Sequence, residues 1–317
     1  MTILRYTTDQ LIESVRQRAR LPDVGALGST DENIISTLTE CLRSMVLPGI
    51  IKVNEEFGVI TRRTPTVAAQ SRYRIPGRAS GLRLRDLTFV GSDGTRYPLI
   101  QLKRKELVSM GTYNSATRPY QYYLEGAYIV LWPDVDSTWD AGFIEFAYYP
   151  RPGDLVLESE ARQITAIDPV GGVLSSATNF PLSWLAAGPY DIHSQESGAE
   201  LKALEFAATA ILDTSMTVSL DIVNGVAFGS LPIQVGDWIV KSGEAVIPAI
   251  PTEIQVALSR AAAATMMGPI DPDAASGCWD EFKLAMQQAG YLADARIETS
   301  SKKVIVPNPA YGDYRRS

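Results

Sequence analysis

The side chains able to do chemistry are few, and their types exclude more than they allow. The single histidine, His193, cannot build a multi-histidine metal site or a histidine-rich catalytic centre. Cys41 and Cys278 are the two cysteines, too few for a four-cysteine zinc site, and their distance in sequence reads as two reduced thiols in helix cores. No GxxxxGK(S/T) phosphate loop, GxGxxG turn or GxSxG nucleophile elbow occurs. No metal and no cofactor is therefore expected. Asp and Glu are plentiful enough to leave paired-carboxylate glycosidase chemistry open, but no motif favours it. His193, within YDIHSQESG, suits a structural position in a loop or at a strand end. The expectation is a protein that binds and builds, with no enzymatic turnover.

The residues best suited to binding lie at the end of the chain, Ser300 to Ser317 (SSKKVIVPNPAYGDYRRS). Lys302 and Lys303 precede a β-branched triplet, Val304, Ile305 and Val306. Pro307 and Pro309 bar a helix and bias their neighbours to extended backbone. Tyr311, Tyr314, Arg315 and Arg316 follow. So short a segment cannot bury three β-branched residues and two tyrosines against itself. It lies on its own domain, stays loose, or docks on another chain by adding a strand or filling a groove.

A second group of candidates is cationic. From Thr61 to Glu106 eleven Lys and Arg face three acids, whereas from Tyr123 to Phe206 thirteen acids face three bases. A basic zone beside an acidic one suits a surface that meets a charged partner, a copy of itself included; solvated arginines on one strand face are the plainer account. Arg72, Arg74, Arg83 and Arg85 alternate with apolar or aromatic neighbours and are expected to share a sheet face as a subunit or tail interface.

These groups need elements to position them. The composition, 45% hydrophobic and 21% charged, is that of a soluble globular protein. No stretch approaches the ~18 consecutive apolar residues of a membrane span, and the first residues do not read as a signal peptide. Thr7 or Thr8 is expected to cap a helix to about Arg20, with Leu11, Ile12, Val15 and Ala19 as its apolar stripe. Ser29 with Glu32 has capping-box spacing and opens a second helix, which Pro48-Gly49 should interrupt before it resumes from Ile50 to Phe57.

At Gly58 the period changes to two. VITRRTPTV, SRYRIP, LRLRDLTFV and TRYPLIQL read as strands, with a hairpin at Asp93-Gly94. A short helix is expected around Lys103 to Met110, then the strands YQYYLEG, AYIVLWP and FIEFAYYP. Beyond Arg162, ITAIDPVGGVLSS reads as a hairpin, and Ala199 to Asp213, helical by propensity, is assigned to strands by its setting. Thr252 should cap a helix to Met267, with Ile254, Leu258, Ala261, Ala262 and Thr265 on one side. A last helix is expected from Ala274 to Ile297, with Trp279, Phe282, Leu284, Met286, Leu292 and Ala295 available for packing. The expected class is α+β. A helical bundle from residues 1–57 and 251–298 carries an inserted antiparallel β domain (58–160), a second β module (161–250) and an extended arm (299–317).

This layout resembles the head-to-tail adaptor (connector or neck) proteins of tailed bacteriophages. The local similarity runs through SRYRIPGRASGLRLRDLTFVGSDGTRYPL, YYLEGAYIVLWP, FAYYPRPGDLV and SSKKVIVPNPAYG. The resemblance implies a structural virion protein made in the host cytoplasm. It implies a ring, usually a dodecamer, under the portal vertex, joining head to tail and passing double-stranded DNA. Its partners would be further copies of itself, the portal protein and a tail or nozzle protein. Ser300 to Ser317 would then be the portal-docking arm. Two other readings stay open: another virion ring component, such as a tail-hub or baseplate subunit, and a glycan-binding or hydrolysing β module using Trp132, Trp139 and Trp184 as stacking groups.

Overall fold

The structure, a computed structural model, describes residues 6–20, 30–103, 118–181, 183–184, 188–195, 200–218 and 231–293. Ser29, residues 104–110 of the expected short helix, Ala295 and the entire arm from Ser300 to Ser317 lie outside the described residues.

Leu11, Ile12, Val15 and Ala19 recur at helical spacing and form the buried face of α1 (Thr8–Ala19). Thr7 is the N-cap, and the Gln10 side chain accepts its backbone N–H at 3.3 Å. Helix α2 (Asp31–Cys41) is capped by Thr30, whose hydroxyl accepts from the Asn33 N–H, so the cap is one residue later than the Ser29–Glu32 spacing suggests. Pro48-Gly49 does not break the helix that follows. A π turn (Leu42–Val46) leads directly into α3 (Leu47–Val53), and the Leu47 N–H reaches back five residues to the Leu42 carbonyl. Pro48 has no N–H to give, and its ring would press on the Ser44 carbonyl in a regular α-turn; the wider turn just before it relieves both demands.

Asp31–Val53 is thus one run of 23 residues, long and apolar enough by length and composition alone to cross a membrane. Its apolar residues have another use. Ile34, Leu38, Cys41, Leu42, Val46 and Ile50 are buried in a cluster shared with α1 and with α4 (Thr252–Met267). Pro251 occupies the N-cap of α4 and Thr252 begins the helix, against the expected Thr252 cap. Ile254, Leu258 and Ala261 to Ala264 are buried on α4, the four alanines fully, while Thr265 is exposed. Alanines here let neighbouring helices approach closely. Helix α5 (Pro272–Ala293) packs Trp279, Phe282 and Met286 against the cluster but leaves Leu284 55% exposed, on the outward face.

Two four-stranded sheets occupy residues 60–150. One has the order β1-β8-β3-β4, from β1 (Ile60–Pro65), β3 (Ala79–Val90), β4 (Arg96–Pro98) and β8 (Phe143–Pro150). The other has the order β2-β7-β6-β5, from β2 (Arg72–Arg74), β5 (Ile100–Gln101), β6 (Gln121–Glu125) and β7 (Tyr128–Trp132). Alternation puts Leu87, Phe89, Ile144, Phe146 and Tyr148 of the first and Tyr73, Ile129 and Leu131 of the second into one core. The Asp93-Gly94 hairpin forms as the sequence suggests: Asp93 accepts from the Thr95 N–H and hydroxyl, and Gly94 takes φ +80.

A short parallel pair, β9 (Asp154–Leu155) with β17 (Glu244–Ala245), leads into a seven-stranded antiparallel sheet of order β13-β12-β16-β10-β11-β15-β14. Its strands are β10 (Arg162–Asp168), β11 (Val173–Ser176), β12 (Tyr190–His193), β13 (Leu201–Phe206), β14 (Ala208–Leu212), β15 (Ser215–Val218) and β16 (Trp238–Lys241). The segment from Leu201 to Leu212 is strand, as its setting implied, despite its helical propensity. Trp184 stacks on Tyr190 in the core of this sheet. The protein is mixed α+β with several antiparallel sheets.

Candidate functional site

The arginines expected on one face occupy two sheets. Arg72 and Arg74 lie on β2, Arg83 and Arg85 on β3, because Pro76-Gly77 separates two strands that pair with different partners. Arg72 lies over the Tyr128 ring at 4.0 Å and 3.6 Å from Glu125. Arg74 borders a separate cleft of about 460 Å³ with Arg62 and Glu205. Arg85 makes a two-pronged pair with Glu56, and its hydrogen bonds hold the Glu56 carboxyl below the usual range. Arg83 is exposed, with no acidic partner among the described residues.

Arg83 and Arg85 instead join a cleft of about 890 Å³ between α3 and the end of β8. Arg43, Lys52 and Arg151 complete its cationic lining, against Glu55 as the one lining acid. Arg43 is committed to Asp154 at 2.9 Å and to the Pro152 carbonyl. The floor is apolar: Leu47, Ile51, Leu84, Tyr149 and Pro150. From it a niche of about 50 Å³ leads inward to Phe57, Ile60, His193, Leu201 and Ala249. At the other end of the same long helix, Glu32, Glu40, Asp154 and Glu160 line an acidic groove of about 640 Å³, with Arg43 between the two. The helical run from Asp31 to Val53 therefore borders an acidic groove at its start and a cationic cleft at its end.

Behind the niche is a buried polar junction that sequence reasoning missed. Asp191 is fully buried, yet its carboxylate accepts from Arg78 at 2.7 Å, from the Gly243 N–H at 3.0 Å and from the Glu205 N–H at 2.8 Å. Arg78 also donates to Ser242, while Arg62 pairs with Glu205 at 2.6 Å. These contacts tie β1 and the turn before β3 to the seven-stranded sheet. Tyr148, buried against them, has its phenol pushed up to about 12 by desolvation. His193 sits at the end of β12, as expected of a structural histidine; its Nε2 is 3.1 Å from the Glu244 carbonyl oxygen and its buried Nδ1 has no partner. Burial pushes its imidazole below the ordinary value, opposed by Asp191 and reinforced by Arg78. A second buried pair, Lys202 with Asp237 at 3.1 Å, pins β13 to the turn before β16. The available sign was an Asp, and then a Lys, inside strands rich in apolar residues (YDIH, LKALEF).

Both Asp191 oxygens are occupied by fixed donors, which suits a clamp. Among the described residues no group of three or more His, Cys, Asp or Glu could hold a metal ion, and Cys41 and Cys278 are free thiols. Trp184 is 1% exposed and offers no open face for a sugar ring, whereas Trp132 and Trp139 are half-buried, Trp139 meeting Phe89 and Tyr97 edge-on. No family model matches the chain, and no curated protein matches it significantly.

Proposed function

We propose that this protein is a head-to-tail adaptor of a tailed-phage virion, a structural ring subunit under the portal that passes DNA. The run from Ser71 to Leu99, SRYRIPGRASGLRLRDLTFVGSDGTRYPL, carries the reading. Its support is the order of elements: residues from both ends of the chain share one helical cluster, and the sheets arise between them. In this reading residues 1–57 and 251–298 are the helical body, 58–160 and 161–250 the β modules, and 299–317 the docking arm. Val304, Ile305 and Val306 would contribute by burial at about 25 cal/mol per Å², and a ring multiplies weak contacts into avidity. Arg315 and Arg316 would pair with portal carboxylates or DNA phosphates. A net charge of −7, repeated around a lumen, would keep DNA from adhering. Arg72 with Arg74 and Arg83 with Arg85 form two separate candidate contacts, to neighbouring subunits or to the tail.

The test is a pull-down of full-length and Ser300-truncated protein with the portal of the same virus. Binding by the full-length chain alone, with circular dichroism unchanged by truncation, supports the arm. Equal binding by both moves the contact to the helices or sheets. Binding by neither sinks the adaptor reading and favours a tail-hub or baseplate subunit.

A further inference from the structure

We infer that the cleft between α3 and the end of β8 is a docking site for an acidic segment of a partner protein that carries an apolar anchor. Charge is the first argument. Lys52, Arg83 and Arg151 are exposed and have no carboxylate partner among the described residues, while Glu55 is the one acid lining the cleft. Three unanswered cations around one concave surface favour carboxylates at its rim. Shape is the second. The floor of Leu47, Ile51, Leu84 and Pro150 is apolar, and the niche beyond it, about 50 Å³, admits the tip of a side chain. At about 890 Å³ the cleft is within the size range of ligand sites.

The same two facts select a peptide over a nucleic acid. A phosphodiester backbone would satisfy the cations but set polar sugar and phosphate against the apolar floor. Single-stranded binding also relies on aromatic platforms, and the one aromatic ring at the wide cleft, Tyr149, is tethered through its hydroxyl to the Glu55 carbonyl. The chain's own arm does not match either. With Lys302, Lys303, Arg315 and Arg316 against Asp313, it has the sign of the cleft itself. The inference concerns the isolated chain and does not depend on the adaptor reading.

The experiment measures fluorescence anisotropy of full-length protein with a fluorescein-labelled peptide of alternating Glu and Leu. A Lys–Leu peptide and a labelled DNA, both duplex and single-stranded, are the comparison probes. Saturable binding of the Glu–Leu peptide alone, weakened by salt, is expected. Lys52→Glu, Arg83→Glu and Arg151→Glu together should lower its affinity about tenfold or more, and Ala249→Leu, which narrows the niche, should weaken it separately. The reversed side chains are exposed and unpaired, so thermal midpoints should stay close to wild type; if the triple variant fails to fold, Arg83→Gln with Arg151→Gln replaces it. Affinity unchanged in the folded variants overturns the inference, as does no binding of the Glu–Leu peptide. Tighter binding of DNA, lost in the same variants, reassigns the cleft to nucleic acid. Self-association lost in the triple variant, without peptide binding, reassigns it to a second copy of the chain.

Discussion

Asp191 shows how differently two arginine–carboxylate pairs can weigh in one molecule. Its partner Arg78 is nearly buried, and two backbone N–H groups also depend on its carboxylate. Asp191→Ala leaves a buried guanidinium and two orphaned donors, and should lower the unfolding free energy by about 3–5 kcal/mol, read from the urea midpoint. Glu56, by contrast, is solvent-exposed, and Arg85→Ala should leave that midpoint almost unmoved. His193 provides a pH signature. Its folded-state pKa is depressed by burial, so the unfolded chain takes up a proton that the folded chain refuses. Stability is then intact above the unfolded value of about 6.5 and is lost as pH falls below it, by at most about 1.4 kcal/mol per pH unit. Glu244, whose carboxyl is raised by burial, acts in the opposite direction, with stability recovered as it protonates. Denaturant midpoints of wild type and His193→Gln, compared across this range, isolate the histidine. A difference independent of pH would show that the fold does not depress the imidazole pKa.

At the scale of elements, helix contacts set the tolerances. Ala261 to Ala264 are fully buried on α4, so the helices around it have no room for a longer side chain. Ala262→Leu should overpack this contact and lower stability by about 1–3 kcal/mol or more in thermal unfolding. Gly49 on α3 gives the opposite sign. A Cβ there would come within 2.7 Å of the Met286 methyl, the far end of a flexible side chain. Met286 can move aside, and the helix then gains propensity, so Gly49→Ala should raise stability by up to about 1 kcal/mol. A fall in the melting temperature would mean that the α3–α5 contact is tighter than side-chain rotation can relieve. The π turn shows why the expectation of a break at Pro48 failed. Proline forbids a regular turn but not the helix axis, and one widened turn upstream restores the path.

Across the whole molecule, cores that look separate are interlocked. Leu155 from β9 and Ala245 from β17 belong to the helical cluster, and the Leu155 N–H donates to the Thr39 hydroxyl on α2. The Arg78–Asp191 clamp joins the paired sheets to the seven-stranded one. Chemical unfolding should therefore give one transition, coincident by far-ultraviolet circular dichroism and tryptophan fluorescence. Asp191→Ala should separate them, since Trp184 reports from the seven-stranded core. Coincident curves in that variant would show that the remaining contacts, Arg62–Glu205 and β9–β17 among them, suffice to couple the units.

Period and turn chemistry were legible in the sequence because they depend on near neighbours. The α1 stripe of Leu11, Ile12, Val15 and Ala19, the change to alternation at Gly58, and the hairpin at Asp93-Gly94 all follow from contacts within a few residues. Leu284 was misjudged because apolar character does not say which side of a helix meets the core. The cap at Thr30 was missed because adjacent hydroxyls offer nearly the same spacing. The site depended on distant partners. Arg72 and Arg83 read alike in sequence, yet β2 pairs with β7 and β3 with β8, so only strand pairing sends them to different sheets. Asp191 and Arg78, 113 residues apart, acquire their roles only where two sheets meet. Local stereochemistry makes the α+β class and most element types readable from residue order. Tertiary structure alone decided which cations stay unpaired around the cleft, because pairing depends on which strands and helices come to lie together.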